Sequence, residues 1–284
     1  MGVDVIRTVG EMHRAADMMR RDGQKIGLVP TMGYLHKGPL SLVEHALEVT
    51  NRVVVSIFVN PTQFGPSGDL DAYPRDLDRD LKLISDLGAH VAYVPEVEEM
   101  YPEGFVTSVA VADLTVGLCG RARPGHFEGV TTVVAKLFAT VKPHVAVFGQ
   151  KDAQQAIVIR RMVRDLNIDV EVMVAPTVRE ADGLAMSSRN VYLSTEDRQE
   201  ATALYRALIL GQKMIERGER CAEKVIAAMT DVIAPQPHAE IDYIEVVDAE
   251  QLAPVTVLSN SIVLAVAVQF GKARLIDNTL VQVG

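Results

Sequence analysis

In Phe148-Gly-Gln-Lys-Asp-Ala-Gln-Gln155 a short apolar run ends in a cation, a carboxylate and amides, and a helical pattern follows. Lys151 in such a position neutralises a phosphate, and Asp152 receives a ribose hydroxyl or a metal-bound water. Gln155, about one helical turn further on, points into the same cleft. A merely polar helix start would use the same residue types. The stretch Leu28-Val-Pro-Thr-Met-Gly-Tyr-Leu-His-Lys-Gly-Pro-Leu-Ser-Leu-Val43 repeats the layout of apolar run, glycine-containing turn and helix start. Amide hydrogens at a helix N-terminus offer donors and a positive dipole to a phosphate, and Gly33 and Gly38 let a ligand approach the backbone. A tight strand-to-helix connection with a surface His36 is the competing reading.

Three further segments carry polar groups suited to a ligand. Ala185-Met-Ser-Ser-Arg-Asn190 sets hydroxyls and a guanidinium in a polar loop, the makings of a phosphate clamp on a movable segment. Asn60-Pro-Thr-Gln-Phe64 follows an apolar run and puts the Gln63 amide beside an aromatic ring, which suits a small polar organic ligand. Arg121-Ala-Arg-Pro-Gly-His-Phe-Glu-Gly129 concentrates two arginines and a histidine ahead of a helix, pointing to a carboxylate or phosphate or to solvated loop charge. The acidic residues Asp69, Asp71, Asp76, Asp78 and Asp80 have the composition of a water-mediated magnesium site, but read better as solvated helix ends.

These segments need elements to position them. Residues 25–30, 52–59, 90–94, 145–148 and 170–174 are apolar runs of strand length, as in buried parallel strands. Residues 39–50, 76–87, 129–141 and 153–166 carry apolar residues at three- and four-residue spacing and are candidate crossover helices. The alternation predicts an α/β doubly wound parallel sheet over residues 1–176, with ligands at the carboxyl ends of its strands. Residues 177–284 change texture. A polar loop leads to helical patterns at 195–217 and 222–233, and then to alternating runs at 241–247, 261–268 and 273–277, which predicts a smaller α+β domain.

Composition bounds what such a chain does. Of its 284 residues 48% are hydrophobic and 23% charged, the profile of a globular protein with ample core material. Cys119 and Cys221 belong to no metal-type spacing, so the chain is expected in a reducing compartment without a structural zinc. No apolar run approaches the roughly 18–20 residues that span a bilayer. The N-terminus lacks a secretory h-region, and Ile6 stands where a myristoylation signal needs Ser or Thr. A soluble, cytoplasmic protein with no membrane partner is expected. A net charge of −9 argues against a nucleic-acid partner, which requires a basic face. No G-x-G-x-x-G follows an expected strand, which argues against a nicotinamide dehydrogenase.

Taken in order, PTMGYLHKG, SIFVNPTQF, YPRDLDRD, RPGHFEGVTTVVAKLF, FGQKDAQQ and MSSRNVYLS resemble the pantothenate synthetase family along nearly the whole chain. The resemblance implies a Rossmann-like N-terminal domain of nucleotidylyltransferase type, a smaller domain closing over ATP, and a homodimer. It implies magnesium-dependent formation of pantoyl adenylate and its capture by β-alanine. By resemblance, Met32, Gly33, Tyr34, Leu35, His36, Lys37 and Gly38 line the ATP site together with Gly149, Gln150, Lys151 and Asp152. Val178 contacts the adenine, and Met186, Ser187, Ser188 and Arg189 clamp the phosphates. Gln63 and Gln155 match the residues that hold pantoate. His36, Lys151 and Arg189 are the expected catalytic residues, and the resemblance names no magnesium ligand.

One position departs from the family. Its His-x-Gly-His signature reads His36-Lys37-Gly38-Pro39 here, so the second histidine, a proton donor and phosphate contact, is replaced by a ring without a donor. Proline suits the first turn of a helix, where its missing amide hydrogen has no partner. The fold is therefore expected to survive, and the alternative reading is a homologue that binds pantoate or nucleotide but is impaired in adenylation.

Overall fold

Strand residues that alternate between two buried faces account for the main sheet. Val54 faces one apolar cluster with Leu28, Ala146 and Phe148, while Val53 and Val55 face a second with Val29, Val145 and Val147. The central positions of β2, β3 and β5 are thus buried on one side or the other, which is why these runs are mostly apolar, while β1 and β6 at the sheet edges are more exposed. The computed structural model describes residues 2–65, 70 and 73–284; Asp69 and Asp71 of the acidic segment lie outside them.

The strands of this sheet are β1 (Asp4–Ile6), β2 (Ile26–Thr31), β3 (Arg52–Ile57), β4 (Val91–Tyr93), β5 (Val145–Gly149) and β6 (Glu171–Ala175), in spatial order β1-β4-β3-β2-β5-β6. All described pairings in it are parallel. Strand order reverses direction between β2 and β5, and that switch point opens a crevice at their carboxyl ends. Helices α1 (Val9–Arg21), α2 (Lys37–Val49), α3 (Leu77–Leu87), α4 (Val97–Met100), α5 (Leu118–Ala122), α6 (His126–Val141) and α7 (Ala153–Asp165) connect the strands. Met12, Val134 and Ile159 bring α1, α6 and α7 onto one face of the sheet, and Val43 and Ile84 bring α2 and α3 onto the other.

The remaining elements are α8 (Thr195–Glu200), α9 (Ala203–Glu216), α10 (Ala222–Ile233) and an antiparallel sheet of β7 (Ala239–Asp248), β8 (Ser261–Phe270) and β9 (Ala273–Gln282). Ile262, Leu264 and Val266 of β8 pack under α9 and α10, whereas Val263, Ala265 and Ala267 pack against Leu118, Phe127 and Ala153 of the parallel-sheet half. The central strand of the small sheet is therefore buried on both faces, and the second face is the joint between the two halves.

The single helix expected over 195–217 is two, α8 and α9, joined at Ala201 and Thr202. The N-terminal pair β1 and α1 was not expected from the strand pattern, because a three-residue strand is too short to show one.

Candidate active site

The turn after β2 combines two left-handed residues, Gly33 (φ 81°) and Tyr34 (φ 49°), and turns its amides inward, Gly33 N donating to Thr31 Oγ1 at 3.2 Å. Asp80 of α3 holds it: its carboxylate, 1% exposed, accepts from Tyr34 N at 2.6 Å and Leu35 N at 2.8 Å. Burial pushes this carboxyl up, against the opposing pull of those amides and of Arg79. Arg79 donates to the Leu35 carbonyl at 2.9 Å and lies 5.1 Å over the Tyr34 ring. Asp80 is thus a buried brace rather than the solvated helix end expected from the acidic run.

His36 caps α2, its Nδ1 accepting from Gly38 N at 3.2 Å. That contact assigns the neutral ring with the proton on Nε2, a donor facing the crevice. Burial, then Lys151 and Arg79, lower its pKa despite Asp152, which keeps the ring neutral at pH 7. Pro39 follows as the third residue of α2, not its first. The first intrahelical bond, Leu40 N to the His36 carbonyl at 3.1 Å, begins after it, so the ring interrupts nothing.

At the end of β5, Gln150–Asp152 form a 3₁₀ turn that presents Lys151 and Asp152 before α7 carries Gln155. On the third side, β3 leads to the 3₁₀ turn Pro61–Gln63. The buried Asn60 donates to Gln63 Oε1 and to the Gly129 carbonyl, both at 3.1 Å, while Gln63 Nε2 donates to Met32 Sδ at 3.0 Å. Only glycine fits at position 129, since a Cβ there would lie 2.4 Å from the Thr62 carbonyl oxygen. His126 Nδ1–H donates to the Gln63 carbonyl at 2.8 Å, and its Nε2 accepts from Arg123 at 3.3 Å. Burial foremost, with Arg123, depresses the His126 pKa to about 4, so the ring is a fixed neutral spacer at pH 7.

The fourth wall is the hairpin arm 178–186. Met186 N donates to the Val178 carbonyl at 2.9 Å, and Ser187 caps the following 3₁₀ turn by accepting from Arg189 N at 3.2 Å.

Together these walls enclose a crevice of about 280 Å³. Met32, Gly33, Tyr34, His36, Gly38, Gln63, Gly149, Lys151, Asp152, Gln155, Val178, Met186, Ser187, Ser188 and Arg189 all line it. Three expected residues do not. Leu35 packs into the core beside Val43, Lys37 is exposed, and Gln150 turns its amide to Asn278. The wall also holds an apolar patch, Phe58, Val130, Val133, Val134, Leu137 and Phe148. Ser56 and Thr177 stand on the crevice wall, and their hydroxyl oxygens are buried with no hydrogen-bond partner among the described residues. A second cavity of about 830 Å³ lies between the two sheets and shares Arg123, His126, Lys151, Asp152, Gln155 and Arg189 with the first.

Sequence reasoning passed over Asn60, Asp80, Arg179, Asp277 and Asn278 as functional supports. Only Asn60 and Asp80 stand inside motifs that were already conspicuous.

Two phosphate-type turns at the switch point of a parallel sheet, cations on facing walls and an apolar patch with amides place this chain among nucleotide-using α/β proteins. The chain belongs to the pantoate-beta-alanine ligase family, whose model matches residues 4–280. A pantothenate synthetase of Thermotoga neapolitana is 54% identical over 276 residues, covering 97% of this chain and 99% of the relative. One of Acetivibrio thermocellus is 52% identical over 279 residues, covering 98% and 99%. The crystal structure of a pantothenate synthetase from Thermus thermophilus superposes with a TM-score of 0.92 at 47% identity, covering 98% of this chain and 99% of that one. A pantoate-beta-alanine ligase from Francisella tularensis, complexed with beta-gamma ATP and beta-alanine, superposes with a TM-score of 0.78 at 34% identity, covering 98% and 97%.

Proposed function

We propose that this chain uses ATP to join pantoate to β-alanine, giving pantothenate, AMP and pyrophosphate through a pantoyl adenylate. The observation that carries the reading is the convergence of Lys151, Arg189 and Asp152 with the Gln63 and Gln155 amides over one apolar patch. Pantoate has this shape: a carboxylate and hydroxyls at the ends of a dimethylated carbon. The patch covers the methyl groups, and the two glutamines read the polar groups. The nucleotide lies across the carboxyl ends of β2 and β5, with its phosphates among the Met32–Gly38 turn, Lys151 and the Met186–Arg189 loop and its base near Val178.

In the first step a pantoate carboxylate oxygen attacks the α-phosphorus and pyrophosphate leaves. Lys151, Arg189 and the His36 Nε2–H stabilise the charge that develops, and the glutamines align the attacking oxygen. Among the described residues Asp152 is the only carboxylate on the crevice wall, and no cluster of three metal-type ligands exists. That donor set fits magnesium carried by the nucleotide, since this ion is commonly held by one or two carboxylates, phosphate oxygens and water. Bound so, it supplies neutralisation of the leaving pyrophosphate.

In the second step the uncharged amine of β-alanine attacks the acyl carbon, and AMP departs with the original carboxylate oxygen. The larger cavity is the approach, and a carboxylate arriving through it meets Arg123. Closure of the small domain excludes water from the adenylate.

The division at residues 176 and 177 belongs to the same reading, supported by the end of β6 at Ala175. So do a homodimer, which rests on the resemblance, and cytoplasmic residence, which rests on the cysteine usage and the N-terminal sequence; no described helix is long and apolar enough to cross a membrane. No observation favours a homologue that binds without turnover. Pantoate-dependent exchange of labelled pyrophosphate into ATP tests the proposal: exchange that requires pantoate supports it, and exchange absent or independent of pantoate contradicts it.

A further inference from the structure

Strand β9 belongs to the small sheet, yet it reaches into the turn that presents Lys151. The Asn278 side chain, 5% exposed, donates through Nδ2 to the Gln150 and Lys151 carbonyls, both at 2.9 Å, and accepts from Gln150 Nε2 at 2.8 Å. One amide therefore satisfies two consecutive carbonyls of the turn and the side chain of its first residue. A 3₁₀ turn of three residues is weak by itself, and its outward carbonyls need such partners.

Asn278 is in turn held from the far side. Its backbone N donates to Asp277 Oδ1 at 2.8 Å, and the Asp277 carboxylate is clasped by Arg179 in a two-pronged pair of 2.6 and 3.0 Å. Arg179 also donates to the Gly183 carbonyl at 3.0 Å and stacks 4.2 Å over the Tyr205 ring of α9. Arg179 lies on the arm that leads into Met186–Arg189, paired across a bridge with Ala185. A continuous chain of contacts thus joins the two cationic segments of the crevice, the loop of Arg189 and the turn of Lys151, and both links run through β9. Asp277 and Asn278 are buried polar residues whose side-chain hydrogen bonds, among the described residues, all belong to this chain of contacts.

Resting on the adenylation reading above, we infer that Asn278, oriented by the Asp277–Arg179 pair, is a positioning residue that sets Lys151 against the Met186–Arg189 loop for attack at the α-phosphorus. The small domain then does more than cover the site: it fixes the spacing between cations that must act on one triphosphate. A displaced Lys151 loses charge neutralisation in the transition state while pantoate, held by Gln63 and Gln155, binds as before.

The test is pantoate-dependent ATP–pyrophosphate exchange by Asn278→Ala and Asn278→Asp, with thermal unfolding of each. Asn278→Asp keeps the acceptor for Gln150 and removes both donors to the carbonyls. Each variant is expected to lose about 10- to 100-fold in exchange rate with pantoate KM within about twofold of the unsubstituted chain. In a Lys151→Ala background the same substitutions are expected to add less than about threefold, because Asn278 acts through that lysine. Unchanged rates, losses that multiply fully in the double variants, or failure of both single variants to fold would overturn the inference. Absence of exchange in the unsubstituted chain would instead overturn the functional reading on which it rests.

Discussion

The turns after β2 and β5 do the same job on opposite sides of the switch point, yet they are braced from different places. Gly33–Leu35 hangs on Asp80, a carboxylate from α3 of the same half, whereas Gln150–Asp152 hangs on Asn278 from the other sheet. The first brace is ionic and survives any movement of the small domain. The second is a neutral amide whose grip depends on where that domain sits. On the proposed reading, the β2 side would hold phosphate wherever the small domain sits, and the β5 side would neutralise charge only with that domain in place.

Lys151→Ala should break the catalytic side outright, lowering single-turnover formation of pantoyl adenylate by on the order of 10³-fold with little change in thermal stability. Adenylate formation at the unsubstituted rate would remove the lysine from the chemistry. Asp80→Ala should damage the permanent side instead. Two charge-assisted hydrogen bonds are lost and two amides are left unpaired, so stability should fall by about 2–4 kcal/mol and ATP affinity with it. Urea unfolding and calorimetric ATP titration measure both, and a variant as stable as its parent would show that the β2 turn supports itself.

Pro39→His sharpens the same contrast. The ring sits where the helix has no amide bond to lose, so thermal stability should barely change, while a second imidazole beside His36 should raise the adenylation rate by roughly 10²-fold. Rapid-quench measurement showing no gain would mean that the His36 Nε2–H and Lys151 already supply what that position gives elsewhere in the family.

His126 offers a smaller, pH-dependent test. Its pKa is about 4 in the folded chain against 6.5 for the ordinary residue. Between those values the unfolded chain binds the proton and the folded one does not. The contribution is therefore whole above pH 6.5 and is lost as pH falls toward 4, by on the order of 2 kcal/mol after solvent screening. Urea unfolding at pH 7 and pH 4.5 should show that loss, and His126→Gln should flatten it. An equal acid loss in the substituted chain would place the effect elsewhere.

How far these parts could be read in the sequence follows from how local their causes are. Strands β2, β3 and β5 were legible because burial on both faces makes most of their positions apolar. Helix α1 carried a legible signal, a Thr8–Glu11 capping box ahead of Met12, Ala16 and Met19, that the strand-led reading passed over. The break between α8 and α9 has no proline or glycine to announce it. Gln63, Lys151 and Gln155 stood out because each sits in a dense motif at a strand end. Asp80 was misread because its run also holds Asp76 and Asp78, and only the tertiary structure shows which carboxylate turns inward. Asn278 and the Asp277 pairing of Arg179 had no local signal, since Gln150, Lys151 and Asp277 lie in segments distant from their partners.

The central claim is that the crevice activates pantoate by attack of its carboxylate on the α-phosphorus, and isotope placement tests that directly. With pantoate labelled by ¹⁸O in its carboxylate and a full turnover with ATP and β-alanine, mass spectrometry should find one labelled oxygen in the phosphate of AMP. Label in inorganic phosphate or pyrophosphate, or none in AMP, would contradict it.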